Sequence, residues 1–276
     1  MTMTCGKLLI FFGVVLFLTS CETTSETQTA PIRWQLAWSD EFSGGAGTSP
    51  DPKSWTFDEG GDGWGNNQLE HNTARTSNVA LDGDGHLAIV ARKEDYKGNA
   101  YTSARIKTQG LRAFRYGRIE ARIKLPVGKG MWPAFWMLGS DIAEVGWPKC
   151  GEIDVMEYRG DKPKVVHGSV HGPGYSAGDA ITRKFRLDDG AAFDADFHVF
   201  AVEWDPARIT WSVDDVVYHT LTVAKVKDRG AWAFDHKFFL LLNIAVGGVF
   251  SGDPDDSTVF PQTMLVDYVR TYTRAP

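Results

Sequence analysis

From Trp34 onward, short runs of alternating apolar and polar residues are separated by clusters of Gly, Pro, Asn and Asp. Leu87-Ala88-Ile89-Val90-Ala91, Gly117-Arg118-Ile119-Glu120-Ala121-Arg122-Ile123 and Phe197-His198-Val199-Phe200-Ala201-Val202-Glu203-Trp204 each carry the two-residue period of a half-buried strand. The third is followed by Asp205-Pro206-Ala207-Arg208 and then Ile209-Thr210-Trp211-Ser212-Val213, which predicts a hairpin. Residues 237–246 are apolar almost without interruption and lead into Gly247-Gly248, as expected of a strand buried on both faces. A last strand is expected over residues 264–272. No stretch holds the i, i+3, i+4, i+7 stripe of an amphipathic helix. The pattern predicts an all-β sandwich or barrel, read here as one domain over residues 32–276 with two stacked antiparallel sheets.

Composition narrows this further. A chain of 276 residues, 43% of them apolar, can bury a large core. Its net charge of −6 argues against a nucleic-acid partner, which needs a basic face. Ten Trp, eight Tyr and sixteen Phe suit strands, and they also supply stacking platforms for flat or amphipathic ligands.

The N-terminus reads as an address. Lys7 precedes an apolar run over residues 8–18, too short for the ~20 residues that span a bilayer but suited to a signal peptide. Leu18-Thr19-Ser20-Cys21 resembles a bacterial lipobox, which implies removal of residues 1–20 and a lipid on Cys21. An ordinary secretory signal with an incidental cysteine is the alternative. Glu22 stands where Asp would signal inner-membrane retention, so the resemblance points to the outer membrane of a Gram-negative host. Residues 21–31 are polar and aperiodic, a solvated tether. With Cys5 removed and Cys21 lipidated, Cys150 is alone, and no intrachain disulfide can form. Cys150 is read as a small buried hydrophobe rather than a nucleophile.

The candidate chemistry lies in Gly151-Glu152-Ile153-Asp154-Val155-Met156-Glu157-Tyr158. On a strand Glu152 and Asp154 share one face and Ile153 and Val155 the other. Strict alternation would turn Glu157 into the core, where an unpaired carboxylate costs several kcal/mol. One extra residue, a β-bulge at Val155-Met156, returns Glu157 to the acidic face. Three crowded carboxylates repel and raise at least one pKa. That suits glycoside hydrolysis, although an acidic strand facing solvent or a cation site would carry the same residues. Upstream, Met131-Trp132-Pro133-Ala134-Phe135-Trp136-Met137-Leu138 places Trp132 and Trp136 on one strand face, as a sugar-stacking platform would require.

This acidic run resembles the catalytic signature of glycoside hydrolase family 16 in its bulged Glu-x-Asp-x-x-Glu form, typical of laminarinase-like endo-β-1,3-glucanases. Trp38-Ser39-Asp40-Glu41-Phe42, Gly63-Trp64-Gly65-Asn66-Asn67-Gln68-Leu69-Glu70, Tyr101-Thr102-Ser103-Ala104-Arg105, Val166-His167-Gly168-Ser169-Val170-His171-Gly172 and Phe260-Pro261-Gln262-Thr263-Met264-Leu265-Val266-Asp267-Tyr268 look like the same branch. The resemblance implies a β-jelly-roll sandwich whose concave sheet forms an open cleft. It implies Glu152 as nucleophile, Asp154 as assisting acid and Glu157 as general acid/base. It places Asn66, Arg105, Trp132, Trp136, Trp147 and His171 among positions that hold glucosyl units. No cofactor is implied for catalysis; a structural calcium is, at Glu41, the Gly85 carbonyl and Asp267. Gln68 and Glu70-His71 depart from the family's more usual Glu and neutral-aromatic pattern.

The resulting expectation is a monomeric, exported, lipid-anchored, retaining endo-β-1,3-glucanase with a β-glucan as its partner. The alternatives are the same fold acting on mixed-linkage glucan or a marine galactan, and a non-catalytic glucan-binding protein.

Overall fold

The structure, a computed structural model, describes residues 33–188 and 190–275. The expected signal peptide, Cys21 and the tether lie outside these described residues. Among the described residues no helix is long and apolar enough to cross a membrane.

The strands in chain order begin with β1 (Trp34–Asp40), β2 (Thr56–Asp58), β3 (Glu70–Asn72), β4 (Val79–Leu81), β5 (Leu87–Tyr96) and β6 (Asn99–Ser103). They continue with β7 (Arg105–Lys107), β8 (Gly117–Lys124), β9 (Met131–Gly139), β10 (Glu152–Tyr158), β11 (Val165–His171) and β12 (Ile181–Arg186). The last are β13 (His198–Asp205), β14 (Arg208–Val213), β15 (Val216–Thr222), β16 (Phe238–Val246) and β17 (Gln262–Arg274). Helix is confined to single turns. One sheet runs β15-β14-β13-β8-β17-β5-β6-β3, with β1 added on β17 and β4 on β5. The other runs β12-β11-β10-β9-β16-β7-β2. All pairings are antiparallel except β3 with β6.

The core lies between the sheets. Ile153, Val155, Met156 and Tyr158 of β10 belong to one buried cluster with Phe200, Val202 and Trp204 of β13 and Ile209 and Trp211 of β14. Trp204 meets Phe238 edge-on across the gap at 5.3 Å. The predicted hairpin is present, with Asp205 opposite Arg208 and Pro206-Ala207 turning between them.

Every residue of β16 is buried, as the unbroken apolar run predicts. Its second face is covered because Phe239 and Leu241 join Leu138, Cys150, Trp136 and Ile142 in a smaller cluster beneath the loop before β10. Cys150 is a free, fully buried member of that cluster, and burial pushes its thiol up to about 11. It serves there as a small apolar side chain.

The expected bulge is also present. Asp154 pairs with Ser169 and Glu157 with His167, so Val155 and Met156 stand against Gly168 alone. On the other side Asp154 faces Trp136 and Met156 faces Phe135. The packing behind the bulge comes from the opposite sheet. Trp211 donates its indole N–H to the Asp154 carbonyl at 2.8 Å, satisfying a backbone group inside the disturbed ladder. Gly168 has to be glycine for this approach, since a Cβ there would sit 2.4 Å from the Tyr218 hydroxyl and 2.6 Å from Trp211 Cδ1.

Candidate active site

The outer face of the seven-stranded sheet carries a cleft of about 380 Å³. Alternation along β9 and β10 decides what lines it. Trp132, Ala134 and Trp136 point into it from β9, and Glu152, Asp154 and Glu157 from β10, while Ile153, Val155 and Met156 point into the core. Asn66, Arg105, Trp147 and His171 complete the set expected from the sequence, and all line the same cleft.

Three indoles organise the polar groups. Trp132 donates to Glu157 Oε1 at 3.1 Å, and Trp147 to Glu152 Oε2 at 2.6 Å. Trp136 donates to Asn243 Oδ1 at 2.8 Å. Each ring thus has its one polar atom satisfied and its apolar faces left for contact. Trp147, 45% exposed, forms the lip over the nucleophile position. Glu157 accepts a second hydrogen bond from Ser169 at 3.3 Å, and Ser169 accepts from Thr182 at 3.0 Å. Arg105 lies 4.6 Å from the Trp136 ring and 5.0 Å from that of Trp64, with Asp58 3.1 Å away to balance its charge.

Burial dominates the electrostatics. It pushes the Glu152 carboxyl up to about 8, aided by the Asp154 charge, and Glu157 up to about 7. Asp154 is driven well above its ordinary range, first by burial and then by the Glu157 charge. The crowding argument from sequence required at least one raised carboxyl; all three are raised. What separates the two glutamates is their donors, one indole for Glu152 against an indole and a hydroxyl for Glu157.

The sequence reading left several cleft residues unassigned. Trp64 follows Gly63 at a positive φ of 50° that no local pattern betrays. Asn243 had a signal: it is the one polar side chain inside the apolar run that becomes β16. Of the three departures from the family pattern, only Gln68 faces the cleft. Glu70 is fully buried, accepts from the Val246 N–H at 2.8 Å and from Asn72 Nδ2 at 3.2 Å, and is pushed up to about 7 by burial. His71 meets Asn99 and the edge of Tyr96.

The corner expected to hold calcium is formed by register. β1 pairs with β17, and Leu87 lies opposite Val266, so Glu41, Gly85 and Asp267 all fall near the middle of β17. Both oxygens of Glu41, however, accept from Arg270, at 2.9 and 2.7 Å, and Asp267 accepts from Arg122 at 2.5 Å. Both Glu41 oxygens and one oxygen of Asp267 are thus engaged by guanidinium groups, which a cation drawing on those atoms would have to displace.

Comparison with known proteins agrees with this geometry. The family model for glycosyl hydrolases family 16 matches residues 65–270. A β-glucanase of Rhodothermus marinus is 44% identical over 87% of this chain and 85% of its own length. The laminarinase catalytic domain of Thermotoga maritima superposes with a TM-score of 0.83 at 46% identity, covering 88% of this chain and 99% of that one. The endo-β-1,3-glucanase of Pyrococcus furiosus does so with a TM-score of 0.83 at 47% identity, covering 88% and 96%.

Proposed function

The chain belongs to glycosyl hydrolases family 16, and from that premise we propose that it is a retaining endo-β-1,3-glucanase acting on laminarin-type glucans. The observation that carries this is the bulge, which puts Glu152, Asp154 and Glu157 on one cleft face among three indoles. In the first step a Glu152 oxygen attacks the anomeric carbon while Glu157 gives its proton to the departing glycosidic oxygen, leaving a glycosyl ester on Glu152. In the second step Glu157, now ionised, takes a proton from water as that water breaks the ester. The two inversions return the β configuration. Asp154, between them, holds charge and proton density that bias both partners.

Glu157, pushed up to about 7, has a proton to give near neutrality. Burial raises Glu152 further, to about 8, against the order this division needs, and the Trp147 indole N–H and the His171 ring pull it back toward the ionised form. Trp132 and Trp136 offer apolar faces to glucosyl rings, and Arg105, flanked by two indoles, offers donors to their hydroxyls. The fold is the jelly roll of the laminarinases it resembles. A reducing-sugar assay on laminarin, lichenan, agarose and κ-carrageenan tests the substrate. Laminarin should be cut fastest, with oligosaccharides rather than glucose appearing first. Faster release from agarose or carrageenan would overturn the assignment.

We further propose that the enzyme is exported and anchored through a lipid on Cys21, on the strength of the Leu18-Thr19-Ser20-Cys21 run. Cys21→Ala should leave an active enzyme that no longer sediments with membranes. Unchanged fractionation would refute the anchor.

A further inference from the structure

His171 ends β11 directly opposite Glu152. Its Nδ1 accepts a hydrogen bond from the backbone N–H of Ala177 at 3.1 Å. A ring nitrogen that accepts carries no proton, so the proton of the neutral imidazole sits on Nε2. Nε2 faces the acids, 3.2 Å from Asp154 Oδ2 and 3.9 Å from Glu152 Oε1. Asp154 Oδ2 is buried and has no aligned hydrogen bond. The turn that presents this N–H holds an uncommon backbone: φ is +50° at Ala177, a conformation costly for a residue with a Cβ. With the ring turned over, that N–H would meet a C–H instead.

We propose that His171 is a positioning residue for the acids, locked by the Ala177 amide as the Nε2–H tautomer so that this N–H orients Asp154 and Glu152. This rests on the retaining-hydrolase reading of the site. It takes His171 out of the set that chiefly holds sugar. The 3.2 Å contact is close enough to align when substrate fills the cleft, as hydrogen bonds among catalytic groups commonly do. Glu152, Asp154 and His171 also present ligand atoms within 4.8 Å of one another, the spacing of a metal site. A metal on Nε2 would force the proton onto Nδ1, against the Ala177 N–H, so the same lock disfavours that use.

Two measurements test this. Long-range proton–nitrogen NMR of the 15N-histidine-labelled enzyme should show His171 protonated at Nε2 only, and a proton on Nδ1 would overturn the proposal. That spectrum requires no activity, so it stands apart from the substrate assignment, which fails if no β-1,3-glucan is cleaved. In kinetics, His171→Ala should lower kcat on laminarin roughly 10- to 100-fold with KM little changed, the scale of losing a group that orients a functional side chain rather than one that contacts the developing charge. His171→Gln, which restores an N–H near the Nε2 position, should recover much of it. The groups facing the ring are Glu152, Asp154 and Glu157 of β10, the Trp147 ring and the Ala177 N–H. Removing a neutral donor from carboxylates disfavours their ionised forms, so the acidic limb of kcat/KM should move to higher pH in His171→Ala. A rise in KM with kcat and pH profile intact would mean a sugar-holding role.

Discussion

Replacing Trp211 by Phe tests whether the bulge is held from behind. Trp211 is fully buried, gives its indole N–H to the Asp154 carbonyl at 2.8 Å and stacks on His219 at 4.6 Å. Phe retains an aromatic ring but leaves that carbonyl without its donor, a cost of about 1–3 kcal/mol for a buried group. The smaller ring adds about 1–2 kcal/mol in lost burial and cavity. Together these should lower Tm by roughly 4–20 °C, at about 2–4 °C per kcal/mol for a domain of this size. Activity should fall more than stability explains. The bulge returns Glu157 to the cleft, and a shift of about 1 Å in a reacting group can cost around 100-fold in rate.

The assay is kcat on laminarin well below the melting transition, beside thermal unfolding of the same sample. Val269→Ala, a truncation of a buried side chain on β17 in the other sheet, serves as the control. It should lose comparable stability and keep its kcat. If Trp211→Phe behaves like Val269→Ala, the bulge does not depend on Trp211, and the link from opposite sheet to catalytic geometry is wrong.

Two further outcomes follow from the site. Glu152→Gln should be inactive yet melt higher than wild type above about pH 5. Folding raises the Glu152 carboxyl from its ordinary 4.5 to about 8. The folded state therefore keeps a proton the unfolded state has lost, and wild-type stability falls as pH climbs through that window. The advantage of Gln should widen from pH 5 to 8 and vanish near pH 4; a constant gap in Tm would contradict the assigned burial. Trp136→Ala should raise KM for laminarin about tenfold, the equivalent of ~1.4 kcal/mol of lost ring contact. The protein should stay folded because the ring is only half-buried. Unfolding on the scale of ~3–5 kcal/mol would place that ring in the core.

Much of this architecture was legible in the chain because burial imposes alternation. The run Glu152 to Tyr158 specified its own bulge, since Glu157 could not face the core unpaired, and the register shift falls at that place. The nine buried positions of β16 were readable as an apolar run. What covers their second face was not, because it depends on a loop packing from far along the chain. Trp64 was hidden for a similar reason: its left-handed backbone is imposed by its surroundings rather than by any local preference. The corner near Glu41 shows the same limit. The pattern of the chain carries no sign that Arg270 and Arg122 reach the Glu41 and Asp267 carboxylates, because such side-chain pairing depends on register between distant strands.

The roles of Glu152 and Glu157 can be separated by the stereochemistry of azide rescue. With an activated aryl β-glucoside, Glu157→Ala should still form the glycosyl ester on Glu152, because a good leaving group needs no proton. Azide then opens that ester to give a β-glycosyl azide. Glu152→Ala cannot form the ester, so azide entering the vacated space should displace the leaving group once and give the α-glycosyl azide. Recovery of the β-azide from Glu157→Ala and the α-azide from Glu152→Ala is the predicted result. The reverse pairing of products would contradict the assignment of nucleophile and acid/base on which the mechanism stands.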